Sequence, residues 1–347
     1  MIARSWDGLR TRVIAISQGA FTACHLSGPI VGGLFAAMNW WRGSFWTMVP
    51  FMLLFTWLAY SKIPDRLDTE AERRRFSGLP MLRLALLATG VFCIAASGPV
   101  TSVSLRVLFI LAAVVLVALT FRLDRDAANN LFPPKALSIG APIGLALCIL
   151  AFHGMTQTSV TLFLPLLLQV VHGVSPIFIN FVSIVISLGW SIGTFSVSGW
   201  SGARERVALF CGPLIAFTGL VGLTLVALLP GLAMLTVSAF VMGIGIGVYN
   251  VHLVARAMES ATPGEQRSTA SALTSVRSLG TAFGAAIAGV VATTTGLGDA
   301  NQQEAVGHAV TAVYLFCWIP FGLNAVLMIR FLRVTLPRRS PIPATAE

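Results

Sequence analysis

Ten apolar stretches, each about long enough to cross a bilayer, alternate with short polar connections along nearly the whole chain. Their apolar cores run over residues 13–38, 45–60, 80–97, 103–121, 142–170, 177–197, 207–229, 232–255, 272–293 and 309–333. A helix needs about 20 apolar residues to cross the hydrocarbon, and there it satisfies its backbone groups internally. The pattern therefore predicts an all-α, polytopic membrane protein of about ten transmembrane helices. Prolines inside the stretches, such as Pro165, Pro213 and Pro320, are compatible with this, because neighbouring helices re-satisfy freed backbone groups.

Composition agrees. Residues of the apolar set make up 56% of the chain and charged residues only 10%, against roughly 25% charged in a soluble domain. The net charge of +10 would suggest a nucleic-acid partner in a soluble protein. Here the cations fall between apolar stretches and favour alternate connections. Twenty-one of the 23 lie on one set, which includes Arg73, Arg74, Arg75, Arg204, Arg206, Arg256 and Arg277, and only Arg42 and Arg106 on the other. Positive residues stay on the cytoplasmic side during insertion. This predicts an inner (plasma) membrane protein with both termini cytoplasmic, the lipid bilayer as its surroundings and no nucleic acid among its partners.

Candidate chemistry is sparse. The five cysteines lie inside apolar stretches without a CxxC pair, so no metal or disulfide framework is expected. No HExxH or phosphate loop is present, and neither an enzymatic reaction nor a cofactor is predicted. None of the thirteen acidic residues lies at the centre of a span, although proton relays in pumps usually use intramembrane Asp, Glu or His. Either His153 or His25 couples protons, or the coupling residue lies outside the chain. His153, Thr156 and Gln157 share one helix face at i, i+3 and i+4. With Ser187, Trp190 and Asn250 they form the expected wall of a substrate path suited to amphipathic or cationic compounds. The competing reading is interhelical hydrogen bonding. Tyr249 and His252 lie beside Asn250, and the run Gly243-Ile-Gly245-Ile-Gly247 reads as a close helix contact.

The first stretch contains Gly28-Pro29-x-x-Gly32-Gly33, and Trp41-Arg42-x-x-Phe45 follows. At these residues the sequence resembles the major facilitator superfamily, and within it the fourteen-helix drug:proton antiporters. Their antiporter motif has the form G-x-x-x-G-P-x-x-G-G, with Cys24 here in place of the first glycine. Phe163 to Gln169 resembles the family's ninth helix, and Ala255 to Gly289, with Arg277, Gly280 and Gly284, resembles the connection to the thirteenth and that helix itself.

The resemblance implies helices five to fourteen of that family and an incomplete first bundle. It implies the last two helices of the first bundle over 1–60, a charged loop with an inserted helix pair over 61–140, a six-helix second bundle over 141–335 and a disordered tail over 336–347. The implied function is secondary active transport: multidrug efflux of a small amphipathic or drug-like substrate by alternating access, with a proton as coupling ion. The alternatives are a truncated, transport-inactive fragment of such a transporter, and less favourably a membrane-embedded enzyme or channel.

Overall fold

The structure is a computed structural model and describes residues 23–24, 27–28, 30–62, 80–100, 102–125, 127, 131–133, 136, 138–261, 266–298 and 302–335. Residues 30–37 are helical. The helices that follow are α1 (Trp41–Trp46), α2 (Met48–Lys62), α3 (Met81–Ser97), α4 (Val103–Arg125), α5 (Pro142–Leu166), α6 (Pro176–Val197), α7 (Ala203–Val226), α8 (Leu232–Glu259), α9 (Gln266–Thr294) and α10 (Gln302–Thr335). Among the described residues there is no strand. Eight helical stretches are long and apolar enough to cross a membrane, α1 and α2 counting as one, and α3 is a shorter apolar helix. This is an all-α, polytopic membrane architecture. Of the predicted first stretch only part is described, and Pro29, the Arg73–Arg75 run and the tail lie outside the described residues.

Helix ends extend past the predicted apolar cores. α9 begins at Gln266 and α10 at Gln302, because the helical backbone continues into polar residues that hydropathy leaves out. Two expectations are corrected by this. Arg204 and Arg206 belong to the first turn of α7, not to a connection. Arg277 lies well inside α9, nine residues from the Ser268 end of its candidate span. At 1.5 Å per residue that is about 13 Å along the axis.

Local sequence sets where several helices start. Pro142 and Pro176 occupy the first turns of α5 and α6, where a missing N–H leaves no bond unmade. Gly202 and Gly231 precede α7 and α8 with φ of +60° and +112°, conformations that a side chain disfavours. Past Pro165, α5 widens into a π turn over Leu167–Val171. His172 N–H there donates to Leu167 O, five residues back, at 3.3 Å, and its Nε2 donates to Ala227 O at 2.9 Å, tying this end to α7.

The helices α5–α10 pack as two groups. α8 lies between α6 and α7, and α9 and α10 both lie against α5. Glycines form the seams. A Cβ on Gly243 or Gly247 would overlap the backbone of Ile186 or Trp190 in α6, whereas one on Gly245 would overlap Ala216 in α7. Two residues turn a helix by about 200°, so alternate glycines of one run face opposite neighbours. Likewise Gly154 of α5 meets Arg277 O and Thr281 N, and Gly280 and Gly284 of α9 meet Ala151 and Met155. In hydrocarbon no solvent-driven force holds helices together, and close backbone approach supplies the packing.

Two ion pairs fix helix ends. Buried Arg83 of α3 pairs with Asp124 of α4, whose carboxylate also accepts Leu131 N–H at 2.7 Å and Phe132 N–H at 2.9 Å. Glu205 of α7 pairs with Arg256 of α8 through both carboxylate oxygens, the second at 2.9 Å. The outer faces carry large exposed apolar side chains, among them Phe51, Phe55, Leu162, Leu225, Met234 and Ile319. Water penalises such a surface and lipid does not.

Replacing Gly247 by Val forces a side chain into the Trp190 carbonyl. The expected outcome is a thermal midpoint in detergent lowered by the equivalent of about 1–3 kcal/mol or loss of folded protein. Gly289→Ala, with no atom within 4 Å of the new methyl, is expected to hold or raise the midpoint. Fluorescence-detected size-exclusion chromatography after a temperature series reads both.

Candidate functional site

Four helices bring polar and aromatic side chains together inside the bundle. α5 contributes His153, Thr156 and Gln157, α6 contributes Trp190, α8 contributes Tyr249 and Asn250, and α9 contributes Arg277. The contact is close because the glycine seams are. Gly154 admits α9 next to His153, and Gly243 and Gly247 draw α6 against α8.

His153 is the centre of this cluster and is fully buried. Its Nδ1 lies 2.7 Å from the Tyr249 hydroxyl. The Trp190 ring stands edge-on to the imidazole at 5.6 Å and the Tyr249 ring at 5.9 Å. With a neutral imidazole, either Nδ1 accepts from Tyr249 O–H or the hydroxyl accepts from Nδ1–H, depending on the tautomer. The Arg277 guanidinium carbon sits 4.9 Å above the Trp190 ring. Arg277 Nη2 donates to Gln157 Oε1 at 3.5 Å, the outer limit of a hydrogen bond.

Three buried polar atoms of this cluster have no hydrogen-bond partner among the described residues: His153 Nε2, Thr156 Oγ1 and Asn250 Oδ1. Buried polar atoms are nearly always paired; three of the eight exceptions among the described residues fall in this cluster, and the others lie on Arg106, Thr269, Tyr314 and Asn324. Beside the cluster is a cavity of about 360 Å³, lined by Leu150, Asn250, Val254, Leu273, Thr274 and Arg277 and reaching Met258 and Ala270. It extends from Arg277 toward the end of the bundle where α8 stops and α9 starts.

Of the residues expected from the sequence, His153, Gln157 and Trp190 meet in one contact network, Thr156 is buried beside it, and Asn250 lines the cavity. Ser187 is brought to neither; its carbonyl accepts Ser191 Oγ at 3.0 Å within α6. His252 turns away and donates from Nε2 to Val197 O at 3.0 Å. Arg277 was missed as a site residue because it was counted with the connections; the signal that could have found it is a lone arginine among the apolar residues of a predicted span. Of the antiporter motif, Gly28 and Gly32 have no atom of the described residues within 4 Å of where a Cβ would stand, and a Cβ on Gly33 would run into the Asn180 side chain of α6.

Removing the Tyr249 hydroxyl leaves a buried imidazole nitrogen unpaired. Tyr249→Phe is expected to cost about 1–3 kcal/mol, and adding His153→Leu should recover part of that loss. A double-mutant cycle on thermal midpoints measures the coupling; strictly additive effects would deny the bond any energetic role.

Residues 1–285 match the family model of the Major Facilitator Superfamily. Two curated relatives, each described as a probable multidrug-efflux transporter, come from Mycobacterium tuberculosis strains CDC 1551 / Oshkosh and ATCC 25618 / H37Rv. Each is 27% identical over 320 residues, which cover 88% of this chain and 66% of the relative. The chain therefore spans just under two thirds of the length of these relatives.

Proposed function

The chain belongs to the Major Facilitator Superfamily, and from that premise we propose that it is a secondary active exporter of small amphipathic or drug-like compounds. The observation that carries the proposal is the coincidence of two facts. The relatives bear the description of probable multidrug-efflux transporters, and the bundle holds a cavity, running from Arg277 toward one of its ends, walled by apolar side chains with a few convergent polar groups. Such a lining is what small-molecule sites use. Transport proceeds by rocking one helical bundle against the other around that site. The setting is the inner membrane with both termini cytoplasmic, by the distribution of Lys and Arg. In that orientation the cavity opens inward, where an exporter loads.

The coupling ion in this reading is a proton. Every described carboxylate stands at a helix end: Asp124 on α4, Glu205 on α7, Glu259 on α8 and Glu304 on α10. The proton then rides on His153 or on a group beyond the described residues. The closed setting of His153, bonded to Tyr249, supports the second choice. The organisation proposed is the one the resemblance implies: part of a first bundle over 1–60, an inserted pair within 61–140 and a second bundle over 141–335.

A second reading has its own support. The chain covers 66% of its relatives, and α2 buries none of its residues among those described. In that reading these helices are part of a transporter and move nothing by themselves.

Everted membrane vesicles distinguish the two. Accumulation of a fluorescent drug that depends on an acid-inside gradient, and stops when nigericin collapses it, is the expected result. Accumulation indifferent to the gradient counts against proton coupling, and none at all from folded protein favours the second reading. In the same assay His153→Ala should change rate or substrate preference, whereas a wild-type profile returns His153 to packing.

A further inference from the structure

The charge inside the cavity selects its ligand. Arg277 is a cation about 13 Å into its span. Carrying such a charge in the hydrocarbon is costly, and intramembrane charges almost always pair or face a water-filled cavity. Among the described residues no carboxylate pairs with Arg277. Asp124 is engaged by Arg83, Glu205 by Arg256, Glu259 stands exposed at the end of α8 and Glu304 begins α10. Among the described residues the Arg277 guanidinium meets the Trp190 ring and makes the long bond to Gln157. A guanidinium offers five N–H donors in a planar fork that matches a carboxylate; one of them reaches Gln157 at the outer limit of a hydrogen bond, and Arg277 is itself part of the cavity wall.

The same geometry argues against a cationic ligand. An aromatic box for a cation needs free ring faces, and the residues lining this cavity include no aromatic ring, the nearby Trp190 having one face already taken by the Arg277 guanidinium. A second cation beside Arg277 would meet like-charge repulsion in a low-dielectric surround. The rest of the lining, Leu150, Val254, Met258 and Leu273, suits an apolar body.

We infer that this cavity binds amphipathic acids, holding the ligand's carboxylate on the Arg277 guanidinium and its apolar body against α5, α8 and α9. The assignment rests on the exporter reading for its biological meaning, but its test does not require transport.

The test uses three probes that share one ring system: 1-naphthoate, 1-naphthamide and 1-naphthylmethylammonium. Binding to the purified full chain in phosphatidylcholine nanodiscs is measured by equilibrium dialysis against empty nanodiscs. Naphthoate is expected to bind about tenfold or more tighter than the amide, the size that a hydrogen bond to a charged group gives, and the ammonium compound weakest. Arg277→Gln should bring naphthoate down to the amide's affinity and leave the amide unchanged. Arg277→Lys should keep the order of preference with a smaller gap, which guards against a variant that merely misfolds. Equal binding of the three probes, a preference for the cation, no saturable binding, or a naphthoate preference surviving in Arg277→Gln would each overturn the assignment. Vesicles that export nothing while naphthoate binding still depends on Arg277 would sink the exporter reading and leave this assignment standing. Export of cationic dyes unaffected by Arg277→Gln, with no naphthoate preference, would do the reverse.

Discussion

Hydrocarbon offers no hydrogen bonds, and the rest of this structure follows from that constraint. Each backbone group within it must be satisfied inside its own helix, which explains why most of the described residues lie in long helices. The constraint also removes the driving force that packs helices in water. Glycine supplies the substitute. Gly154, Gly280 and Gly284 join α5 to α9, and Gly189, Gly193, Gly243 and Gly247 join α6 to α8, each where a methyl group would overlap the neighbouring backbone. Polar side chains inherit the same demand. Those at the helix ends meet it with ion pairs, as in Arg83 with Asp124 and Glu205 with Arg256.

Against that background the seam between the two helical groups stands out. His153, Tyr249, Trp190, Gln157 and Arg277 come from four helices and contact one another at mid-depth, while three neighbouring polar atoms are left without partners. An arrangement built only for stability would replace these groups with apolar ones at little cost. The glycine seams and the site are one construction, since Gly154 places α9 so that its Arg277 lies beside His153 and Trp190.

Much of the fold was legible in the sequence because hydropathy is a local signal about 20 residues wide. Apolar runs located α5, α6, α7 and α8 to within a few residues, and Pro142 and Pro176 marked two starts. Helix ends were less legible, since Gln266 to Ala270 is helical yet polar enough to read as connection. The site was half legible. An i, i+3, i+4 pattern placed His153, Thr156 and Gln157 on one face, but their partners depend on rotation and crossing of other helices. Ser187 and Trp190 lie three residues apart on one helix, yet only Trp190 reaches His153. Arg277 was hidden by the very rule that oriented the chain, because a count of cations per connection does not ask whether one of them sits inside a span. Membership of the Major Facilitator Superfamily came from a motif and a match over most of the chain; neither would have revealed what charge the cavity holds.

A carboxylate can reach Arg277 only if the cavity that runs toward the ends of α8 and α9 is open to water and not to lipid. A single cysteine at Thr274, in a background whose five native cysteines are replaced, tests it with a membrane-impermeant maleimide. The account predicts rapid labelling from the side on which α8 ends, with cysteine at the outward-facing Ile319 remaining unlabelled. Unreactive Thr274→Cys from both sides, alongside ready labelling at Ile319, would contradict it.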